Sequence, residues 1–582
     1  MKKTYKRIMV GSGGELQFQE GLLRDPSELM KPERLGSFKQ NRLSFARILI
    51  NKMIEEKWRI ELKKIDVDGR GNGMAIYTIN TRSHTFSFVV QSRESSDDED
   101  TDRIIASTWD MEAFLCEGEA TPELINSQFE EIRNLRKGRA DPEVLIWTRA
   151  NRSSRFFDHI VDSLLSGHQP DIDFLAKGGY LVRSSGYYGN GLNGTKVFRA
   201  MDEDHPLKKP YMSQMLAVYM LRTFSFDLAD NMAKNRNRES ATLNYSIKRY
   251  LGTGNSSGIG IIFFIMNHPK LIHKWVLVRE IALARAKKTK ISEENIEKFK
   301  KRSKRAERWF SEDESSTEGE FIDKNKIADG LRDIRKKVGD LQKSKEENDF
   351  WMRLCEWTEN RYGPEVQEVL HSLLIDIHPS VCDGLDKHLI SSEETDVIPN
   401  MSISDLKSLI NSSYQWALDI DMSAPNSQHY FWYRGGEIGE PRIGVRDETP
   451  LDNYENYELP VDIAYQVHEL YSDLSESCAS DSVAEFLFYH PEHEDIIQRI
   501  QSLHNLSYAE VRGNPLDANF NPLDMISFKK SLWGVQKMHP KSKGWVRGTF
   551  FQGAPLAEDI IDGRGSNWVY PSKPVIEEGG VE

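Results

Sequence analysis

The chain has 582 residues, of which 38% are hydrophobic and 10% aromatic, so it can form packed cores and is long enough for several domains. Its formal charge of -13 argues against a general nucleic-acid-binding protein, because such proteins neutralise phosphates with an excess of Lys and Arg. No apolar run approaches the ~20 residues of a membrane-spanning helix. We therefore expect a soluble, multidomain protein with no membrane partner.

The cysteines are scattered along the chain and include no CxxC pair. Because this spacing builds neither a dense disulfide framework nor a zinc site without distant partners, we expect thiols and a cytoplasmic location. The sequence identifies no cofactor, and it leaves open whether the protein forms a homo-oligomer. The positions are Cys116, Cys355, Cys382 and Cys478.

Residues 1–205 are predicted to form an α+β domain. Amphipathic helices are expected at 45–58 and 155–165, strands at 74–79, 85–90, 104–109, 144–148 and 178–183, and turns at 68–73 and 187–194. Helix, Gly-rich turn and strand thus follow one another twice, which indicates a weak internal duplication of one α+β unit.

Residues 206–400 are predicted to form a helical domain around an unusually apolar segment. Helices are expected at 213–235, 243–250, 327–357 and 364–374, and another follows the apolar run 261–266 and continues to 286. The charged segment near 287–325, basic and then acidic, is typical of an exposed, partly mobile hairpin or linker. A nucleic-acid-binding arm is the alternative, although the segment has few aromatic residues for stacking on bases.

Residues 401–582 are predicted to form a mixed α/β C-terminal region. Helices are expected at 403–418, 460–474, 482–489 and 494–504, and strands at 430–434 and 545–551. The predicted fold class is therefore mixed α+β, with two small sheet-containing regions flanking a predominantly helical central region.

An arginine cluster is predicted from five strands that each carry a guanidinium at or near one end. A guanidinium on a rigid strand keeps its charge, so it requires a carboxylate or phosphate partner. If several of these strand ends converge, they form an anion-binding site. In the alternative, each arginine pairs with an Asp or Glu of the protein or simply reaches solvent. The residues are Arg93, Arg149, Arg183, Arg434 and Arg547.

A denser polar group lies at a predicted strand-to-helix junction. Arg149 and Arg152 supply guanidiniums, and Asn151 or Ser153 would cap the helix that follows. Because the N–H groups of a helix N-terminus attract anions, the junction predicts substrate contacts in addition to plain capping.

A turn rich in Gly and Asn is predicted after Arg183. The phenol of Tyr187 or Tyr188 beside that guanidinium would donate a proton more readily, and Ser184 and Asn190 would donate hydrogen bonds to a ligand. An ordinary surface hairpin is the alternative, because Gly and Asn are also the residues that tight turns require.

A glycine-rich turn is predicted at 251–260, where Gly254, Asn255 and Ser256 would hold a phosphate or carboxylate with backbone N–H groups. The turn lacks the Lys-Ser/Thr ending of a P-loop, so no nucleotide hydrolysis is predicted. Close helix packing across the glycines is the competing explanation. His268 follows as a candidate general acid or base.

No metal site is predicted from the sequence. His490 and His493 lie in the segment YHPEHED, which resembles a metal-binding pattern, but a capping or surface role at the start of a helix is the favoured interpretation. No GxSxG nucleophile elbow occurs in the chain.

These residues favour an enzyme that holds a small anionic metabolite, carboxylated or phosphorylated, and works by general acid/base chemistry as a lyase, isomerase or transferase. The candidate catalytic residues are Tyr187, Tyr188 and His268. The candidate substrate-binding residues are Arg149, Asn151, Arg152, Arg183, Ser184, Asn190, Gly254, Asn255, Ser256 and Arg434. The alternative is a non-catalytic protein-binding or assembly protein whose Arg and aromatic surfaces hold a partner chain.

Overall fold

The computed structural model describes residues 23–94, 109–134, 144–189, 201–258, 265, 268–312, 323–343, 348–389, 396–423, 430–432, 442–444, 460–511, 521–542, 545–565 and 567–575. Two predicted site residues, Asn190 and Arg434, lie outside these ranges. So does the predicted strand 104–109, except for Trp109.

Helices make up most of the described chain. They are α1 (Pro26–Leu29), α2 (Pro32–Ser37), α3 (Phe45–Glu56), α4 (Pro122–Asn134), α5 (Phe156–Leu165), α6 (Ile172–Ala176), α7 (Met212–Arg236), α8 (Tyr245–Tyr250), α9 (Pro269–Lys287), α10 (Glu293–Glu312), α11 (Lys324–Lys343), α12 (Phe350–Glu359), α13 (Pro364–Ile377), α14 (Ile403–Ser413), α15 (Gln415–Leu418), α16 (Pro460–Glu476), α17 (Val483–Tyr489), α18 (Glu494–Leu503), α19 (Pro522–Trp533) and α20 (Ala557–Ile561). Within the described ranges, no helix is both long enough and apolar enough to cross a lipid bilayer.

The strands belong to one large sheet and one small one. They are β1 (Arg59–Val67), β2 (Gly73–Asn80), β3 (Thr85–Ser92), β4 (Met111–Glu117), β5 (Ile146–Arg152), β6 (Tyr180–Gly189), β7 (Gly252–Gly258), β8 (Tyr430–Trp432), β9 (Arg442–Gly444), β10 (Lys537–Ser542) and β11 (Trp545–Phe550). The small sheet pairs β8 with β9.

Nine strands form the large sheet in the order β1-β2-β3-β4-β5-β6-β7-β11-β10. Neighbouring strands are antiparallel except for β6 and β7, which are parallel. Both edge strands discourage pairing with a further chain, since β1 is rich in exposed charged residues and β10 contains Pro540, which has no N–H to donate. Strands from the first and last parts of the chain therefore share one sheet.

Helix α7 is the central element that packs on this sheet, and its 25 residues reach from β1 to β7. Arg222, which is fully buried in the middle of α7, donates hydrogen bonds to five backbone carbonyl oxygens, including those of Leu251 at 2.7 Å and Ala554 at 3.0 Å. One side chain therefore fixes both the start of β7 and the return of the chain after β11.

The predicted mixed α+β fold class is confirmed. Helices α9 to α15 occupy the chain between the strands of the first and last parts, and α13 packs against α9, α10, α11 and α12. The division at 205 and 400 and the internal duplication stay predictions. The large sheet takes strands from all three predicted regions.

Two segments that were predicted as turns contain strands. Residues 187–189 belong to β6, and the glycine-rich segment forms β7 between β6 and β11. The glycines of β7 admit close contacts instead of a reversal: a Cβ atom on Gly252 would lie 2.1 Å from the Phe550 carbonyl oxygen, and one on Gly254 would lie 2.8 Å from the Tyr180 ring. Close packing against neighbouring strands, rather than the close helix packing that was the competing explanation, therefore accounts for these two glycines.

The basic run that was predicted as an exposed linker is mostly helical. Helix α10 packs against α11 and α13 and buries Ile296, Phe299 and Ala306. Its charged residues form the opposite face, where Glu307 accepts a hydrogen bond at 3.0 Å from Arg332 of α11. Helix α10 was not predicted, because its charges hid an apolar stripe at helical spacing. The interpretation of the segment near 287–325 as a hairpin or linker stays a prediction.

Helices α14 to α18 form a group of their own, in which α16 packs against α14, α15 and α18. An isolated bridge between Ser402 and Ser482 joins the starts of α14 and α17. At the start of α17, Ser482 and Glu485 form a capping box, which explains why this helix begins where the sequence predicts.

Candidate functional site

Helix α19 lies in the core and is buried on almost every side, although it carries two adjacent lysines. Asn521 caps its N-terminus, since the side chain accepts a hydrogen bond from the Leu523 N–H, and Pro522 occupies the first turn. The helix ends at Gly534, whose φ of 99° lies in the left-handed region. Packing against α2 and β11 covers its sides, so Lys529 and Lys530 point into the protein.

Lys530 is fully buried, and its ammonium nitrogen lies among apolar groups. The Nζ atom is 5.2 Å from the centre of the Phe550 ring and 5.5 Å from that of Trp533. It donates a hydrogen bond to Asn255 Oδ1 at 2.5 Å. Burial holds the pKa of Lys530 well below its usual value, and among the described residues no carboxylate pairs with it.

Lys529 is buried on the neighbouring side of α19. Its Nζ atom donates to the Tyr211 hydroxyl at 3.5 Å and lies 4.3 Å from the centre of the Trp533 ring. Burial, and secondly the charge of Lys530, hold the pKa of Lys529 well below its usual value. The amines of Lys529 and Lys530 cannot both be protonated here without a large electrostatic penalty.

Strand β7 presents Asn255 to Lys530, and Ser257 supports that amide. Asn255 Oδ1 accepts from Ser257 Oγ at 2.8 Å as well as from Lys530, and Asn255 Nδ2 donates to the Ser184 backbone oxygen on β6 at 2.8 Å. The Ser184 hydroxyl is buried without a hydrogen-bond partner among the described residues. Alternate residues of a strand point to the same face, so Asn255 and Ser257 both face α19.

His268 lies at the N-terminus of α9, next to Lys529. It is buried, and burial together with the charge of Lys529 lowers the pKa of His268 to about 3. The imidazole therefore stays neutral at physiological pH. In that state it can donate or accept a hydrogen bond, and its role as a general acid or base stays a prediction.

We call this group of side chains the lysine cluster. It combines two amines whose pKa values are lowered, a neutral imidazole, an amide and a hydroxyl in apolar surroundings. A site of this composition can hold an anion, since a bound negative charge near Lys530 would favour the protonated form of that amine. Its members are Asn255, Ser257, His268, Lys529 and Lys530.

On the opposite face of the large sheet, the strands on either side of β7 carry two arginines from the predicted cluster. Arg183 of β6 is paired in register with Gly254, and Arg547 of β11 is paired with Ser256. Because paired residues point to the same side of a sheet, both guanidiniums lie on the face away from α19. Neither pairs with a carboxylate among the described residues, and Arg547 Nε is buried without a hydrogen-bond acceptor.

Three other predicted residues contact acidic groups of the protein. Arg152 pairs with Asp110 at 3.2 Å, and Arg149 Nε lies 4.0 Å from a Glu112 carboxylate oxygen. Asn151 Oδ1 accepts a hydrogen bond from the Asp110 N–H at 3.0 Å instead of capping α5. For Arg149 and Arg152, the structure therefore matches the alternative in which each arginine pairs with the protein.

The remaining predicted residues are distributed as follows. The backbones of Tyr187 and Tyr188 lie in β6, opposite Thr148 and Trp147 of β5, so the turn predicted for them was wrong. Arg149, Arg183 and Arg547 lie inside strands rather than at strand ends. The sheet nevertheless brings residues of β5, β6 and β7 that are distant in sequence into neighbouring rows.

Lys529 and Lys530 were missed in the sequence. The segment PLDMISFKKSLW has the pattern of an amphipathic helix, in which two adjacent lysines are normally the solvated face. The available signal was that apolar residues continue on both sides of the pair, so that a helix buried on all faces would carry the lysines inward.

Comparisons of this chain with protein-family models, with curated proteins and with solved structures gave no match. The geometry of the lysine cluster therefore carries the functional argument.

Proposed function

We propose that this chain is a cytoplasmic enzyme that binds a small carboxylated or phosphorylated metabolite at the lysine cluster and transfers a proton with one of the two lysines. The observation that carries the proposal is the environment of Lys530. Its amine is fully buried, its pKa is held well below the usual value, and its hydrogen-bond acceptor is the neutral amide of Asn255. Reaction classes that use such an amine include lyases and isomerases.

A buried lysine of this kind reduces the stability of the fold. Each unit by which its pKa lies below that of the unfolded chain costs about 1.4 kcal/mol at a pH where the unfolded amine is protonated. A methionine of similar length would fill the same space without that penalty. Groups that reduce stability in this way are concentrated at binding and catalytic sites, which supports a functional role for Lys530.

An anionic ligand would divide two roles between the lysines. A carboxylate or phosphate oxygen close to one amine raises the pKa of that amine, which then takes up a proton and holds the anion. The second amine, whose pKa the new positive charge lowers further, remains neutral and can accept a proton from the ligand. His268, which is neutral, would orient the ligand by hydrogen bonding.

Binding is tested by a thermal-shift screen against carboxylates and phosphates, followed by calorimetry in buffers of different ionisation enthalpy. We expect an anion that raises the unfolding midpoint and binds with net proton uptake near neutral pH. Lys530→Met should weaken binding and abolish the proton uptake. The control is Lys248→Met, because Lys248 pairs with Asp230 at 2.7 Å and lies outside the lysine cluster.

Proton transfer is tested by incubating the bound anion with the protein in heavy water and following its C–H signals by NMR. We expect exchange of a C–H proton for deuterium, or conversion to a product, in the wild type and in Lys248→Met but not in Lys530→Met. An anion that binds without exchange or conversion would assign the chain to non-catalytic binding proteins. A screen in which no carboxylate or phosphate raises the midpoint would contradict the anion site itself.

A further inference from the structure

A second polar group lies far from the lysine cluster, among the helices α16, α17 and α18. It contains two imidazoles and two carboxylates whose possible ligand atoms all lie within 4.8 Å of one another. His493 Nε2 is 2.8 Å from Asp473 Oδ2, and His490 Nδ1 is 3.5 Å from Glu492 Oε1. The members are Asp473, His490, Glu492 and His493, which we call the HPEH cluster after the run of residues 490–493.

The chain holds these groups together by a short, stiff corner between two helices. His490 ends α17, and Pro491 begins a single 3-10 turn that ends with His493 at the start of α18. The Phe486 ring lies parallel to both imidazoles, with centroids 4.7 Å from His490 and 5.8 Å from His493. Asp473 reaches the corner from α16, so the cluster joins three helices.

The geometry fits a small divalent cation. A tetrahedral zinc site with bonds of 2.0–2.1 Å has ligand atoms about 3.3–3.4 Å apart. The distances of 2.8 and 3.5 Å, together with 3.9 Å from His490 Nδ1 to Asp473 Oδ2, bracket that value. Glu492 is 60% exposed, so its carboxylate has room to move toward the ion.

The charge of the group also fits a cation. The carboxylates of Asp473 and Glu492 lie beside histidine rings, and among the described residues neither pairs with a Lys or Arg. Two imidazoles with two carboxylates are a donor set that zinc accepts, whereas magnesium and calcium prefer oxygen ligands alone.

A comparable group of His84, Glu117 and His205 lacks this fit. There, His205 Nδ1 accepts a hydrogen bond from the Leu207 N–H at 3.1 Å. A neutral imidazole that accepts at Nδ1 carries its proton on Nε2, which is the nitrogen that faces Glu117 at 3.7 Å. That nitrogen is a donor to the carboxylate and has no lone pair for a metal. No such backbone contact fixes His490 or His493 among the described residues.

We propose that the HPEH cluster is a binding site for one zinc-class divalent ion, with Asp473, His490 and His493 as ligands and Glu492 completing the tetrahedron. The ion joins α16 to the corner between α17 and α18 and stabilises this group of helices. The capping role predicted for His490 is compatible with metal binding, because capping uses its backbone and metal binding uses its ring.

The test uses the full chain after treatment with a chelator. Calorimetric titration with Zn²⁺ should give one site, and Zn²⁺ should raise the unfolding midpoint of the protein. His490→Gln and Glu492→Gln, both at exposed or half-exposed positions, should each weaken binding by more than the roughly 10- to 100-fold expected for loss of an outer-sphere partner. Co²⁺ at the site should show the intense visible bands of tetrahedral coordination.

His504→Gln is the matched control, because His504 follows α18 and its Nδ1 faces the Gln501 carbonyl oxygen outside the cluster. This variant should bind Zn²⁺ as the wild type does. An affinity that is unchanged in His490→Gln, or that falls equally in His504→Gln, would overturn the proposal. So would a Co²⁺ spectrum of octahedral form, since that is what loosely held surface carboxylates and water produce.

Discussion

Lys530 Nζ donates a hydrogen bond to Asn255 Oδ1 at 2.5 Å and thereby joins two positions that are 275 residues apart in the chain. The bond connects α19, near the end of the chain, to β7 in the middle of the large sheet. The lysine cluster therefore exists only after the last part of the chain has packed against the sheet.

The first prediction concerns Lys530→Met and the pH dependence of stability. The pKa of Lys530 lies well below 10.5 in the folded protein, so between the two values the unfolded chain binds one more proton. Wild-type stability should therefore rise as the pH increases through this window, and this slope should be absent from the variant. Near neutral pH we expect Lys530→Met to be the more stable protein, with an advantage that shrinks toward pH ~10.

Chemical denaturation at a series of pH values measures this difference. Lys248→Met serves as the comparison, because loss of the ion pair with Asp230 should lower stability near neutral pH instead of raising it. Parallel stability curves for the wild type and Lys530→Met would show that the buried amine keeps its proton in the folded state.

The second prediction concerns Gly254→Ala. The added Cβ atom would lie 2.8 Å from carbon atoms of the Tyr180 ring, which lies between β7 and Phe156 of α5. The ring or the strand must shift, and we expect a loss of about 1–3 kcal/mol in the free energy of unfolding. Thermal and urea denaturation measure the change.

Gly339→Ala is the matched control for this substitution. Gly339 lies within α11, where an added Cβ would meet nothing within 4 Å. Because Ala is favoured over Gly in a helix interior, the free energy of unfolding of this variant should rise by about 0.5–1 kcal/mol. A Gly254→Ala protein as stable as the wild type would mean that the close approach of β6 and β7 is not required.

The third prediction concerns Glu368→Gln and acid unfolding. Burial alone would raise the pKa of Glu368, but the guanidiniums of Arg24 and Arg279, at 2.5 and 2.6 Å, outweigh it and hold the pKa well below the usual range. The substitution removes the negative charge that these two guanidiniums face. We therefore expect the free energy of unfolding to fall by about 3–5 kcal/mol near neutral pH.

The sign of the pH effect follows from the lowered pKa. The stabilisation by Glu368 is fully present above its unfolded pKa of about 4.3 and is lost as the pH falls toward the folded value. The difference in the free energy of unfolding between the wild type and Glu368→Gln should therefore become smaller as the pH falls. The control is Glu356→Gln, at an exposed position on α12, which should have the same free energy of unfolding as the wild type at every pH. A difference for Glu368→Gln that does not change with pH would show that the charge of Glu368 does not stabilise the fold.

Local periodicity was sufficient to predict most of the elements. The apolar spacing of α3, α5 and α7 and the alternation in β2 and β3 predict these elements to within a few residues of their observed bounds, because the order of apolar and polar residues is a local property of each segment. The charged helix α10 and the glycine-rich strand β7 were misassigned. Charge and glycine content dominate these two segments locally, whereas their structure depends on neighbours that are distant in sequence.

By itself, the sequence determined the α+β class, the positions of most helices and the polar residues of β5 to β7, since these depend on the order of apolar and polar residues within short segments. Tertiary structure decided which of those residues could share a site. Arg149 and Arg152 lie beside carboxylates of β4 and the segment before it, whereas Asn255 binds Lys530, a lysine of α19 that the packing of α2 and β11 encloses. The physical reason is that burial of a charge depends on which elements cover it, and periodicity within one element carries no information about its neighbours.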